Sequence, residues 1–277
     1  MDPATTDQTT AELIEAWQEA LTAVADLAAG ARAAEWALAS PCPGWTVGDV
    51  VAHVTDTEDF LSGAPRPDHT PDFSTLPHAQ GFVGQLTETG VDFRRGRTPA
   101  EVVAELRALI PLRRSQVDAV PEGEEVMGPF LAPMSIPRLM RMRTFDTWVH
   151  EQDIRTAMGR DGGWDTPPAI VAFQQMVRAV PYIWGKNLRA PAGTVLRVTV
   201  TGPDLQADTY ATVDASGKGV ACEALDPTVW LEAAWPDFMA LACGRVDPAD
   251  PALRSRIALT GDADLAAALL PAMSVTP

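Results

Sequence analysis

The sequence has few cysteines and no apolar stretch long enough to cross a membrane. Cys42, Cys222 and Cys243 are an odd number, lie far apart and have no CxxC spacing, so neither a disulfide framework nor a cysteine zinc site is predicted. No run approaches the ~18 consecutive apolar residues that a membrane span requires. The polar, acidic N-terminus predicts no secretory signal. We therefore expect a cytoplasmic protein that does not bind a membrane.

Positive charge is also scarce, since Lys186 and Lys218 are the only lysines. Twenty-one basic residues against 37 acidic residues give a net charge of -16. A nucleic-acid partner is not expected, because neutralising phosphates requires a basic surface. Small molecules remain as the expected ligands. The sequence leaves monomer and homodimer both open.

Apolar residues recur at helical spacing over the first two thirds of the chain. Long helices separated by loops favour a helical bundle. A proline-rich, polar segment, residues 63–96, is predicted to be a long loop of functional or mobile character, in which His69 and His78 are solvated. The five predicted helices span approximately residues 10–36, 46–62, 98–120, 135–159 and 166–184.

The pattern changes after about residue 190. TVLRVTVTG, residues 194–202, alternates with period two, as do parts of 208–213 and 228–233, which indicates strands. Short helical patterns follow at 236–244 and 262–270. The predicted fold class is therefore α+β, with a helical bundle over residues 1–186 and a small α+β domain over residues 187–277.

The fourth predicted helix carries ionisable residues on its apolar face. Arg143, Asp146, His150 and Asp153 share that face with Leu139, Met142 and Val149. Burying a charged group costs several kcal/mol unless it pairs or binds a metal ion, so a compensating interaction is required there. The opposite, outer side is predicted to carry Arg141, Thr144, Glu151 and Arg155.

Asp146 and His150 are four residues apart, so their side chains lie one above the other on the helix. With His53 from the second helix they form a set of two imidazoles and one carboxylate. This set suits Zn²⁺ with an open coordination position, ahead of Fe²⁺, Mn²⁺ or Ni²⁺.

Several alternatives to this metal site remain open. The charges on the fourth helix also fit a neutralised, buried ion network. Asp49 or Asp56 is an alternative ligand, and Asp153 would hold the N–H of His150. Cys42, between two prolines, is expected to shape a turn and not to act as a nucleophile.

Two motifs resemble a known family. SPCPGWTVGDVVAHV (40–54) and RTFDTWVHEQDIRTAMG (143–159) are similar to signatures of the mycothiol-dependent maleylpyruvate isomerase family, a branch of the DinB-like bundles. The resemblance implies a DinB-like four-helix bundle in which His53, Asp146 and His150 are the metal ligands. The family often has Glu at the position of Asp146, which leaves the identity of the metal open. DFMALACGR (237–245) and IALTGDADLAAALL (257–270) resemble the family's sterol-carrier-like C-terminal domain.

The resemblance implies a metal-dependent enzyme that activates mycothiol, a thiol cosubstrate. The thiol would be transferred to a small electrophilic substrate, or would catalyse its cis–trans isomerisation. Arg143, which would orient a substrate carboxylate, and Arg245 are the catalytic candidates; a structural salt bridge and a surface arginine are the alternatives. A non-catalytic ligand-binding protein and a hydrolase that uses metal-activated water are the competing functions.

Overall fold

The computed structural model describes residues 7–202 and 205–276, in two compact units. The first unit is Gln8–Ala172, and the second begins at Phe173. The division falls inside helix α7 (Pro167–Arg178), and the predicted boundary between residues 186 and 187 lies further along the chain.

The first unit is mainly helical, as the apolar spacing predicts. Capping boxes at Thr9, Thr46 and Thr98 satisfy free N–H groups at the starts of three helices. Gly159, with φ of 63°, ends the last long helix in the left-handed conformation that favours glycine. The helices are α1 (Thr10–Ala29), α2 (Ala33–Trp36), α3 (Val47–Leu61), α4 (Gly81–Arg95), α5 (Pro99–Asp118) and α6 (Ile136–Met158), with a hairpin of β1 (Glu125–Met127) and β2 (Pro133–Ser135) before α6.

The prediction of a continuous loop over residues 63–96 is wrong. Its second half is α4, and a 3-10 turn spans Phe73–Thr75. Glycines at positions 81, 84 and 90 weaken the helical signal of this segment, because glycine is a poor helix former. Gly90 is required by packing, since a Cβ there would lie 2.0 Å from the carboxyl carbon of Asp56 on α3.

The core of the first unit lies among α1, α3, α5 and α6. Trp17, Leu21 and Leu106 are fully buried there, and so is the face of α3 that carries Val47, Val50, Val51 and Val54. The prediction of an outer side on α6 is wrong for Thr144 and Glu151, which are buried. Helix α6 is covered on most of its circumference, which periodicity alone does not reveal.

The second unit is the predicted α+β domain. Its five-stranded sheet has the order β5-β4-β3-β6-β7, in which β3 and β6 are parallel and the other pairs antiparallel. The fold class predicted from the sequence is confirmed. The strands are β3 (Val195–Thr201), β4 (Gln206–Val213), β5 (Gly219–Ala221), β6 (Val229–Ala234) and β7 (Ala258–Gly261), and the helices are α8 (Val180–Tyr182), a π turn (Ile183–Asn187), α9 (Trp235–Ala242), α10 (Pro251–Arg254) and α11 (Ala263–Ala272).

In the parts of the chain that the structure describes, no helix combines the length and the hydropathy that crossing a membrane demands.

Candidate metal centre

Helices α3 and α6 bring three potential metal ligands together. The Thr46–Asp49 capping box fixes the start of α3, and His53 lies at the edge of its buried valine face. Asp146 and His150 project from successive turns of α6. One donor atom from each of the three side chains lies within 4.8 Å of the others. His53 and Asp146, 93 positions apart in the sequence, thus come within reach of one another, while the proximity of Asp146 and His150 follows from their spacing on α6.

The distances among these donors suit a small divalent cation. His53 Nε2 is 3.4 Å from Asp146 Oδ2, and His150 Nε2 is 3.8 Å from Asp146 Oδ1. Tetrahedral zinc with bonds of about 2.0–2.1 Å separates its ligand atoms by roughly 3.3 Å. The side chains of His53 and His150 are 13% and 7% exposed, while that of Asp146 is 31% exposed, so the centre opens to solvent on the carboxylate side.

A second carboxylate orients the His150 ring. Asp153 Oδ2 is 3.0 Å from His150 Nδ1, and both residues are buried. An Nδ1–H group that donates to this carboxylate leaves the lone pair of Nε2 directed toward Asp146. Carboxylate–histidine pairs of this kind hold metal-binding imidazoles in one tautomer. The structure thus has the contact that the sequence suggests for Asp153.

Arg143 is buried and bonded to two carboxylates. Its Nη1 donates to Asp146 Oδ2 at 2.6 Å and its Nε donates to Glu58 Oε1 at 3.0 Å. Only 2% of the residue is exposed. Asp146 therefore belongs both to a buried ion network and to the candidate metal site, two interpretations that the sequence leaves open. No sequence pattern singles out Glu58, because it is one of several acidic residues on α3.

The charges at the centre favour an ionised Asp146 beside a neutral His53. Burial acts to raise the pKa of Asp146, but the Arg143 guanidinium and His53 outweigh it and hold the pKa well below its usual value. Burial lowers the pKa of His53, against the opposing effect of Asp146, and His150 and Arg143 lower it further. An ionised carboxylate and a neutral imidazole are the forms that bind metal ions.

Trp45 forms an aromatic wall beside both histidines. Its ring centroid is 5.1 Å from that of His53 and 5.9 Å from that of His150. Its Nε1 donates to Glu88 Oε2 at 2.8 Å, and this buried carboxylate on α4 also lies 3.0 Å from His78 Nε2. The ring of His78 packs on Gly44, where a Cβ would come within 2.4 Å of it. Part of the segment predicted as a loop therefore supports the centre.

The two histidines predicted to be solvated are each paired with an acid of α4. His78 faces Glu88, and His69 Nε2 is 2.6 Å from Asp92 Oδ2. Both side chains are partly buried, 18% exposed for His78 and 32% for His69. Both histidines do lie in a loop, ahead of α4, but the prediction that they are solvated is wrong, because each is partly buried beside an acid of that helix.

Cys42 lies closer to the centre than its sequence position suggests. Donor atoms of Cys42, His150 and Asp153 lie within 4.8 Å of one another, a second group able to hold a metal ion. The place of Cys42 between two prolines predicts only a role in shaping a turn, whereas the fold also brings it close to His150. The two possible donor groups share His150.

The remaining candidates lie elsewhere. Asp49 completes the α3 cap and pairs with Arg95, while Asp56 pairs with Arg66 and Arg94, so the structure directs neither to the centre. Arg245 belongs to the second unit, where its Nη1 donates to the carbonyl oxygen of Cys243 at 2.7 Å. Its catalytic role stays a prediction.

Two family models match the chain in succession. The mycothiol maleylpyruvate isomerase N-terminal domain matches residues 17–155, which include every donor described above. The SCP-2 sterol transfer family matches residues 173–274. Both domains named from the sequence motifs are thus found in the predicted order.

Individual relatives are more distant. Two uncharacterized proteins of Mycobacterium tuberculosis, MT0041 and Rv0036c, are each 26% identical over 133 residues, 48% of this chain, and the chain spans about half (51%) of their length. Crystal structures of a mycothiol-dependent maleylpyruvate isomerase and of a mutant form align with 92% of this chain and 94% of theirs, with a TM-score of 0.58. At 13% and 12% identity, this likeness shows a shared fold.

Proposed function

We propose that this protein is a metal-dependent enzyme acting on a low-molecular-weight thiol, because the chain belongs to the mycothiol maleylpyruvate isomerase N-terminal domain family. His53, Asp146 and His150 would hold one divalent ion, with zinc first among the candidates. Mycothiol is the proposed cosubstrate. The proposed reaction is thiol transfer to a small electrophile, or its cis–trans isomerisation.

The convergence of the three donors on one point is the observation that carries this proposal. Their spacing, the ionised Asp146 and the neutral His53 all favour a cation. Three protein ligands leave a coordination position for an exogenous group, as in catalytic zinc sites. Structural zinc sites, in contrast, are closed by four protein ligands.

His53, Asp146 and His150 would hold the ion, and a zinc ion there would favour the thiolate form of a bound thiol, a nucleophile at neutral pH. The chain's own residues set the surroundings of that step. Asp153 would accept the Nδ1 proton of His150 and so leave Nε2 to bind the ion, and the Trp45 indole packs beside the two imidazoles. In a transfer, the sulfur would add to an electrophilic double bond, whose electron pair would take up a proton, or would displace a group that leaves with its electron pair. In an isomerisation, the sulfur would add to the double bond and, after rotation about the resulting single bond, leave as the thiolate, so that the double bond forms again.

The first test is metal content. Protein purified without added metal is expected to contain about one zinc per chain by elemental mass spectrometry, and His53→Ala should lose it. His69→Ala is the matched control, because His69 also pairs with an acid but on the α4 side. Cys42→Ser separates the two donor groups: retained metal supports His53, Asp146 and His150, whereas loss of metal would assign the ion to the group that contains Cys42.

The second test is thiol dependence. Electrophiles incubated with mycothiol and the metal-loaded protein are expected to yield thiol adducts or isomers, detected by mass spectrometry and absent with His53→Ala. Turnover that persists without any thiol would contradict the proposal and favour a hydrolase. Absence of metal from the wild-type protein would favour a ligand-binding protein without catalysis.

A further inference from the structure

A single buried carboxylate, Glu58 on α3, receives hydrogen bonds from three other helices. Trp17 Nε1 of α1 donates to Oε1 at 3.2 Å, and Arg143 Nε of α6 donates to the same oxygen at 3.0 Å. Arg113 Nε of α5 donates to Oε2 at 3.3 Å. Glu58 has no exposed surface, and Arg113 and Arg143 are 5% and 2% exposed. This arrangement fixes the Glu58 carboxylate in orientation as well as in position.

Arg143 connects this carboxylate to the metal centre. The guanidinium is a rigid plane, so a hydrogen bond that fixes Nε also fixes the direction of Nη1. Nη1 donates to Asp146 Oδ2 at 2.6 Å, the shortest contact in this chain of residues. The orientation of Glu58 is thereby passed to Asp146. Asp146 needs such support, because it is the most exposed of the three donors and its carboxylate would otherwise rotate toward water.

We propose that Glu58 is a positioning residue for the metal centre, acting on Asp146 through Arg143. The inference rests on the proposed metal site and adds a residue that contacts neither metal nor substrate. It also assigns Arg143 a role that its burial favours: the guanidinium holds a metal ligand and is not the contact for a substrate carboxylate. Outer partners of this kind commonly change metal affinity by about 10–100-fold when they are removed.

A purely structural role is the competing explanation, since Glu58 also neutralises two buried arginines. The two roles differ in what Arg113 does. Arg113 donates to Oε2 of Glu58, whereas Arg143 donates to Oε1, so loss of Arg113 should destabilise the bundle without removing the Arg143 contact to Asp146. If Glu58 positions the metal centre, substitutions of Glu58 and Arg143 should change metal binding and substitution of Arg113 should not.

The test uses the full chain with Glu58→Gln, which preserves size and one acceptor oxygen but removes the charge. Zinc affinity is measured by competition with a chromophoric chelator, and the ligand field by the absorption spectrum of the cobalt-loaded protein. We expect affinity to fall about 10–100-fold and the cobalt spectrum to change. Arg143→Lys keeps the charge but cannot bridge both carboxylates, so it should weaken zinc binding and change the cobalt spectrum as Glu58→Gln does. It replaces Glu58→Gln in the test if that variant does not fold. Arg113→Met is the matched control and should keep the wild-type spectrum.

The outcomes separate this inference from the proposed function. A wild-type protein that binds neither zinc nor cobalt would overturn both. In a second outcome, the wild-type protein binds metal while Glu58→Gln and Arg143→Lys leave the affinity and the spectrum unchanged. That outcome would support the metal site but overturn the positioning role. Equal weakening by Glu58→Gln and Arg113→Met would show a structural role and overturn it as well.

Discussion

At the scale of single residues, His150 depends on a carboxylate that would not itself bind the metal. Asp153→Asn removes the charge behind the imidazole while keeping an oxygen that can accept the Nδ1 proton. We expect metal affinity to fall about 10-fold or more, because the neutral partner makes Nε2 a weaker donor. Chelator competition measures the change. Asp49→Asn is the control, since Asp49 is also buried but belongs to the α3 cap; an equal loss in both variants would contradict this prediction.

Some residues near the centre can be predicted from the sequence and others cannot, for physical reasons. Asp146, His150 and Asp153 share one helix, so their relation follows from 3.6 residues per turn. Cys42 and Glu88 approach the centre only through tertiary contacts, which no local spacing encodes. The proximity of Asp146, His150 and Asp153 was therefore predictable from the sequence, whereas that of Cys42 and Glu88 was not.

At the scale of elements, α4 is the helix that the apolar pattern of the sequence does not predict. Glycines interrupt its pattern, and much of its attachment to the bundle is ionic. Arg94 of α4 is 3% exposed and bonds Asp56 on α3 and Glu105 on α5, each at 2.6 Å. A search for apolar periodicity does not detect a helix attached in this way, whereas α3, with its row of buried valines, is found at once.

Removing Arg94 tests this account of α4. Arg94→Ala takes one arginine away from Asp56 and Glu105, which keep Arg66 and Arg97 as partners. We therefore expect the free energy of unfolding to fall by about 1–3 kcal/mol in urea denaturation, the cost of the lost hydrogen bonds to charged groups. Arg107→Ala is the matched control, because Arg107 forms an exposed pair with Asp26, worth about 0–1 kcal/mol. Similar losses in the two variants would show that apolar contacts and not charges hold α4.

At the scale of the whole molecule, metal binding and folding are expected to be linked but separable. The first unit has an extensive apolar core of its own, unlike small zinc domains that unfold without metal. Chelation should therefore leave a folded protein with a lower melting temperature. Zinc at about 100 times its dissociation constant adds about 2.7 kcal/mol to the free energy of unfolding. For a domain of this size, that corresponds to a rise in melting temperature of roughly 5–11 °C.

Thermal unfolding with zinc and with a chelator measures this shift. His53→Ala should melt at the same temperature in both conditions, because the ion has lost a ligand. Unfolding of the wild-type protein on chelation at room temperature would contradict the expected separation of folding from metal binding.

The uneven exposure of the three donors has a stereochemical consequence. The imidazoles are 13% and 7% exposed against 31% for Asp146, so an incoming molecule is expected to approach from the carboxylate side. Under the proposed reaction, the residues that line this side would decide which of its two faces a flat acceptor presents to the sulfur. Addition of sulfur would then create a stereocentre of a single handedness, although neither the sulfur nor the acceptor carbon is chiral beforehand.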